Sequence, residues 1–279
     1  MTASPRLLLL SQRPVDPRDL PAALSVEVID APSSAAPSSA AARAAARTAT
    51  SCDRVVIAGD AAFTEASLRG LFERSTPPSE SAVVAFAGDG AWAALSGTRS
   101  AADALRALAA PDPQTVAVPL LLVDHNEEPG PRYGVAVRIG ALAEDDEGAS
   151  PAAGAGALGR LVSRARQIVT SAERPAVTVV VDDAPVTVTA GVCTAAPAQD
   201  PWTRRLPAGS GPLHLYRAGS LAGLREHGLR GSVSHEQGSR VRVAGADALS
   251  LDGVPLAGGS LSLVSVRPGP VLRVLRGAS

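Results

Sequence analysis

The sequence predicts an α/β layer followed by an all-β domain. Three observations carry that prediction. Val55-Val56-Ile57 is a run of consecutive β-branched residues, suited to a strand buried on both faces. It is followed at once by the turn Gly59-Asp60 and by Ala66, Leu68 and Leu71 at helical spacing. From Thr115 onward the pattern changes to short alternating strands separated by turn signals. The expected division is 1–112 for the α/β part, 113–266 for a β sandwich, and 267–279 as a C-terminal strand that is a candidate to return to the first domain.

Composition narrows the functional classes. The 279 residues are enough for two modest domains, and 46% hydrophobic residues give ample core. A net charge of −1 offers no field to recruit nucleic acid or an acidic membrane. Every basic residue is Arg; the chain has no Lys. Cys52 and Cys193 are far apart and outside any CxxC, which suits a reducing cytosol. No apolar run approaches bilayer-spanning length, and Leu7–Leu10 is cut short by Gln12 and Arg13. The expectation is a cytoplasmic protein whose contact with a membrane, if any, is peripheral.

In order, Arg6–Leu10 reads as a first buried strand. Ser11–Asp19 is a loop with Pro14 and Pro17, Leu24–Ile29 a second strand, and Ala40–Thr48 an Ala-rich helix. With the central strand–turn–helix this gives βαβα, hence a parallel sheet. Ala82–Phe86 is a further strand running into Ala87-Gly-Asp-Gly-Ala-Trp92, and Ser100–Leu108 a further helix. The later strands are Val116–Val123, Tyr133–Ile139, Ala176–Val181, Val186–Val192, Arg240–Val243, Leu261–Val266 and Val271–Leu275. Ser220–His227 reads as a short helix. Gly154-Ala-Gly-Ala-Leu-Gly159 spells G-x-G-x-x-G, but Glu144–Ala153 before it cannot be a buried strand, so it reads as the start of an Arg160–Thr170 helix and not as a dinucleotide fingerprint.

Ala58-Gly-Asp-Ala-Ala-Phe-Thr-Glu65 resembles the Gly-Gly-Asp-Gly-Thr-x-Asn-Glu motif of diacylglycerol kinases and their relatives: bacterial lipid kinases, sphingosine and ceramide kinases, and more distantly NAD kinases. Gly59, Asp60 and Glu65 match, while Ala58 and Ala61 stand for glycines, Ala62 for Thr and Thr64 for Asn. The second loop resembles Gly-Thr-Gly-Asn-Asp-Phe-Ala through Gly88, Gly90 and Ala94, with Asp89, Ala91 and Trp92 departing. Gly209–Leu215 and Ser250-Leu-Asp-Gly-Val-Pro-Leu256 match later segments in the same order.

The resemblance covers nearly the whole chain and implies a nucleotide-binding α/β domain, a β sandwich, and ATP-dependent lipid phosphorylation with Mg²⁺. By resemblance Asp60 is the candidate catalytic residue, and Gly59, Glu65, Gly88 and Gly90 are candidates for nucleotide binding; no metal ligand carries over. Asp60 reads equally as a helix N-cap, Glu65 as a first-turn helix acid, Asp252 as a turn residue and Trp92 as packing. The family's metal acids stand here as Ser210 and His214, and its general base as Val254. The four His show no ligand spacing. Phosphoryl transfer depends on positioning and metal-assisted neutralisation, so the expected activity is poor. Two readings follow: a divergent kinase for a diacylglycerol-like lipid, or a non-catalytic protein that binds lipid, nucleotide or a partner in the cleft between its domains. A homodimer is compatible with either.

Overall fold

The computed structural model describes residues 6–16, 18, 20, 25–30, 38–48, 53–74, 82–88, 91–110, 112–140, 176–197, 211–219, 233–244, 249–256 and 262–276. The chain divides into two compact units, Met1–Pro119 with Val271–Ser279, and Leu120–Pro270. The first is α/β and the second is built from antiparallel strands.

In the first unit, β1 (Arg6–Ser11) pairs in parallel with β2 (Ser25–Asp30) and with β3 (Arg54–Ala58). β3 pairs in parallel with β4 (Val83–Ala87) from Arg54↔Val83 to Ala58↔Ala87. Two crossover helices make this possible: α1 (Ser38–Thr48) between β2 and β3, and α2 (Ala61–Phe72) between β3 and β4. α3 (Ala91–Ser96) and α4 (Ala101–Ala109) follow, the latter capped by Ser100 Oγ accepting from Asp103 N–H at 3.1 Å. Leu7, Leu9, Val56 and Ala85 form a core with Ala104, Leu105 and Leu108 of α4. This is why the strands read as continuous apolar runs: helices cover them. Arg54 sends its guanidinium to the carbonyls of Leu108 and Ala110, closing the end of α4.

Helix α1 packs closely on α2 at Gly70, where a Cβ would run into the Arg43 carbonyl oxygen. Arg43 forms a bidentate pair with Glu73, and Arg69 stands 3.4 Å from the same carboxylate. Burial raises the Glu73 pKa, but the hydrogen bonds and charge of Arg43, with Arg69, outweigh it and hold the group below its ordinary 4.5. The stability this contributes is present above about pH 4.5 and is lost as pH falls through the lower folded value.

The strand β5 (Thr115–His125) leads into the second unit, followed by β6 (Arg132–Gly134) and β7 (Ala136–Gly140). Next come β8 (Val177–Val181), β9 (Ala184–Val188), β10 (Ala190–Thr194), β11 (Leu213–Ala218) and β12 (Ser234–Gly238). β13 (Val241–Ala244), β14 (Leu249–Leu251), β15 (Val254–Pro255) and β16 (Leu263–Leu275) complete the order. One sheet runs β12-β11-β10-β7-β14-β15, all antiparallel. Facing it, β9-β8-β13 continue to the first part of β16. Between them lie Leu121, Val123, Val179, Val181, Val241, Val243, Val264 and Val266 from one side. Val137, Ile139, Cys193, Leu213, Leu215, Leu249 and Leu251 come from the other. Period-two alternation on each strand delivers one face to this core.

The structure departs from the sequence reading at three places. Tyr133–Ile139 is two strands, broken at Val135, whose N–H turns to the Asp252 carboxylate. Val186–Val192 is likewise two, broken at Thr189, where Gly140 (φ +65°) packs so closely that a Cβ would meet the Thr189 carbonyl oxygen. Leu261–Val266 and Val271–Leu275 are joined in the single strand β16, which passes through Pro268-Gly269-Pro270 and changes partners. Its first part pairs antiparallel with β13, and Arg273–Val274 pair in parallel with β4. β16 also pairs with β5, and between its two prolines Gly269 lies so close to the Leu120–Leu122 backbone that a Cβ would stand 3.1 Å from it. The Gly154–Gly159 motif, the Arg160–Thr170 and Ser220–His227 helices and the segment 141–153 lie outside the described residues.

Gly70→Ala tests the α1–α2 contact. Alanine gains about 1 kcal/mol of helix propensity, yet the blocked Cβ costs about 1–3 kcal/mol in overpacking. Urea unfolding is expected to show a net loss, whereas Gly219→Ala, with nothing within 4 Å, changes stability by less than about 0.5 kcal/mol.

Candidate functional site

The first unit gathers its candidate residues where β1, β3 and β4 end. The chain leaves β3 through Gly59, whose N–H donates to the Ala87 carbonyl at 3.0 Å. Gly88 leaves β4 with φ +119°, and a Cβ there would stand 2.5 Å from the Gly59 carbonyl oxygen. A Cβ on Gly59 would meet Phe63 Cδ1 at 2.6 Å. Gly88 is therefore required by loop-on-loop packing and Gly59 by the Phe63 ring beneath the turn. Gly90, with Asp89, lies outside the described residues.

Asp60 is the N-cap of α2: its Oδ1 accepts from Phe63 N–H at 2.8 Å. Its other oxygen accepts from Gln12 Nε2 at 2.8 Å, and its own N–H donates back to Gln12 Oε1 at 2.9 Å. Gln12 N–H in turn donates to the Ala58 carbonyl at 2.8 Å. The carboxylate is exposed, but both oxygens are engaged. Thr64 N–H is bonded to the Asp60 carbonyl. In this strand–turn–helix the N–H groups of Gly59, Asp60, Phe63 and Thr64 are bonded within the protein itself.

Because Asp60 sets the start of the helix, Glu65 falls in its second turn, not its first, and is buried. Beyond β4, Phe86 N–H donates to Ser96 Oγ at 2.8 Å, and Thr98 Oγ1 donates to the Phe86 carbonyl. Trp92 is buried, its ring 4.5 Å from that of Phe86, and it fills the space behind the second loop.

In the second unit, Asp252 (φ +51°) stands at the β14–β15 turn before Gly253 (φ +88°). It is buried, and its carboxylate accepts from Val135 N–H at 2.9 Å and Ala136 N–H at 2.8 Å. Val254 follows on β15. His214 is buried on β11, with Nδ1 3.1 Å from Nε2 of His235 on β12. Tyr216 stacks on His235 with ring centroids 4.4 Å apart and 5° between planes.

A pocket of about 280 Å³ is lined by Asp182, Asp183, Ser239, Arg240 and Arg242. It contains none of the residues singled out from sequence. Asp182 there accepts from Ser239 N–H, Ser239 Oγ and Arg240 N–H at 2.8–2.9 Å. No group of three potential metal-ligating side chains gathers among the described residues.

The structure thus brings Asp60, Gly59 and Gly88 together and adds two features that the sequence reading missed. Gln12 is 48 positions from Asp60 and is joined to it only by the parallel pairing of β1 and β3. The His214–His235 contact depends on the β11–β12 register, with Tyr216 opposite His235.

No family model and no curated protein matches the sequence. Solved structures do match along 99% of both chains. They include a diacylglycerol kinase from Bacillus anthracis str. Sterne, at 12% identity and a TM-score of 0.61. Two structures of a candidate diacylglycerol kinase from the same strain match at 11% identity, with TM-scores of 0.63 and 0.62. At this identity the likeness establishes the fold: the chain has the diacylglycerol-kinase-like architecture of an α/β unit and a β sandwich.

Removing the cap is expected to loosen the start of α2. Asp60→Ala should cost about 0.5–2 kcal/mol and Gln12→Ala about 1 kcal/mol in urea unfolding. The double variant should fall short of additivity by about 0.5 kcal/mol or more, since the two side chains bond each other.

Proposed function

We propose that this protein descends from ATP-dependent lipid kinases acting on a diacylglycerol-like hydroxyl and no longer turns that reaction over at a useful rate. Its remaining role is to bind a lipid or a nucleotide without transferring phosphate. The observation that carries this reading is the closed state of the first loop. Gly59 N–H, Asp60 N–H and both Asp60 carboxylate oxygens are bonded within the protein. An Asp whose oxygens hold a helix cap and a glutamine amide is poorly placed to take a proton from a substrate hydroxyl.

The residues also fit a resident Mg²⁺ poorly. A hard cation prefers several carboxylate oxygens, while His214 is stacked against His235 and Asp252 spends its oxygens on backbone N–H groups. The aliphatic Val254 cannot accept a proton. Among the described residues no helix is long and apolar enough to cross a membrane, so a lipid would be met at the membrane surface; Cys193, a buried free thiol pushed up to about pKa 12, accords with the cytoplasm.

The test is transfer of labelled phosphate from ATP to mixed lipids including diacylglycerol, with Mg²⁺, for the full chain and for Asp60→Asn. No transfer above background is expected from either. Robust turnover that vanishes in Asp60→Asn would overturn the reading. In the same samples, lipid vesicles or a nucleotide should raise the melting temperature in the absence of turnover, because a ligand that binds only the folded state stabilises it by mass action.

A further inference from the structure

The histidine pair in the second unit supports an inference independent of any kinase reading. His214 and His235 sit on neighbouring strands, with Nδ1 of one 3.1 Å from Nε2 of the other. At that distance one nitrogen must carry the proton and the other must accept it. With both rings fully protonated, two N–H groups would face each other and the hydrogen bond would become a repulsion. Turning His235 out of this contact would give up its stacking on Tyr216, whose ring lies 4.4 Å away and 5° from parallel, while His214 meets it at the ring edge with centroids 5.3 Å apart.

Among the described residues, the groups around the pair offer little to offset added positive charge, and Arg138 on β7, opposite Val192, adds one more cation to this face. On β10, Thr194 lies opposite His214 and Val192 opposite Tyr216. On β12, Gln237 lies opposite His214. The nearby charges, Arg217 and Glu236, neutralise each other at 3.1 Å and sit at the alternate positions of their strands, on the other face. Burial holds the pKa of both His below 6.5. The His235 charge adds to this for His214, and a Gly211 backbone bond opposes it; Glu236 opposes it for His235.

The far end of β12 is held differently. After Gly238 the chain is clasped by Asp182, which accepts from Ser239 N–H, Ser239 Oγ and Arg240 N–H. These bonds keep that carboxyl below its usual 3.8, so the clasp persists at pH values where the histidines charge. Among the described strands β12 is the edge of its sheet, with β11 as its partner.

We propose that β12 is an acid-released edge strand: below about pH 6, double protonation of the His214–His235 pair detaches its Ser234–Glu236 end while Asp182 keeps the Gly238–Arg240 end in place.

The sign follows from linkage. The folded pair binds fewer protons than the detached one, so attachment is complete above pH 6.5 and weakens as pH falls. Each extra proton taken up on opening should raise the open population about tenfold per pH unit.

The experiment is amide hydrogen exchange of the full chain between pH 7.5 and 5.0, corrected for intrinsic rates, beside histidine-ring NMR titration. Protection of the amides within Ser234–Glu236 that bond β11 is expected to fall by about tenfold per pH unit below pH 6, while Arg240 stays protected. His235→Gln keeps an amide in the same place and should remove the pH dependence. Unchanged protection in the wild-type chain, loss at both ends together, or the same acid response in His235→Gln would each overturn the proposal. Should His235→Gln fold poorly, ring titration of the wild-type chain decides: both histidines titrating at or above 6.5 would refute it.

Discussion

The first unit depends on how closely Gly59 and Gly88 approach each other. The carbonyl of one lies where a side chain of the other would be, and the Gly59 N–H bonds the last carbonyl of β4. This contact binds the ends of two adjacent parallel strands together just past the sheet. From it follow the direction in which α2 leaves, the position of Asp60 at its start, and the placing of Phe63 under the turn. A methyl at Gly88 would push the loops apart, and one at Gly59 would press on the Phe63 ring of α2.

Much of the fold was legible because its signals are local. Leu7–Leu10, Val55–Ile57 and Val83–Phe86 are apolar without interruption, which only strands covered on both faces require. The Ala/Leu helix was legible as Ser100–Leu108, and Ser100 proves to be its N-cap. Strand β12 was not legible: Ser-His-Glu-Gln-Gly has no apolar alternation, and it pairs because aromatic rings and Arg217–Glu236 tie it to β11. The Pro268-Gly269 interruption looked like a turn because proline usually ends a ladder. It is a passage within one strand, which pairs with β13, β5 and β4 along its length and lays Gly269 against the β5 backbone.

The candidate site was legible in its residue types but not in their engagements. Asp60 was open as either a cap or a reacting group, and nothing local could decide between them. The deciding partner, Gln12, belongs to a loop after another strand. Three aspartates far apart in the chain turn out to perform one task. Asp60, Asp182 and Asp252 each accept backbone N–H groups that would otherwise lack a bond at a turn or a break in a strand. A carboxylate in a motif is thus a poor guide to chemistry until its oxygens are counted.

The partner change along β16 has a consequence for synthesis. The strand that flanks β4 comes from the last residues of the chain, after the whole of the second unit. On a ribosome adding roughly 5–20 residues per second, the first unit emerges with that edge bare and waits on the order of ten seconds or more for its final strand. The second unit can close beforehand. The natural order, in which the N-terminal part finishes first, is therefore reversed, and an exposed parallel edge on β4 is what a nascent-chain chaperone would meet.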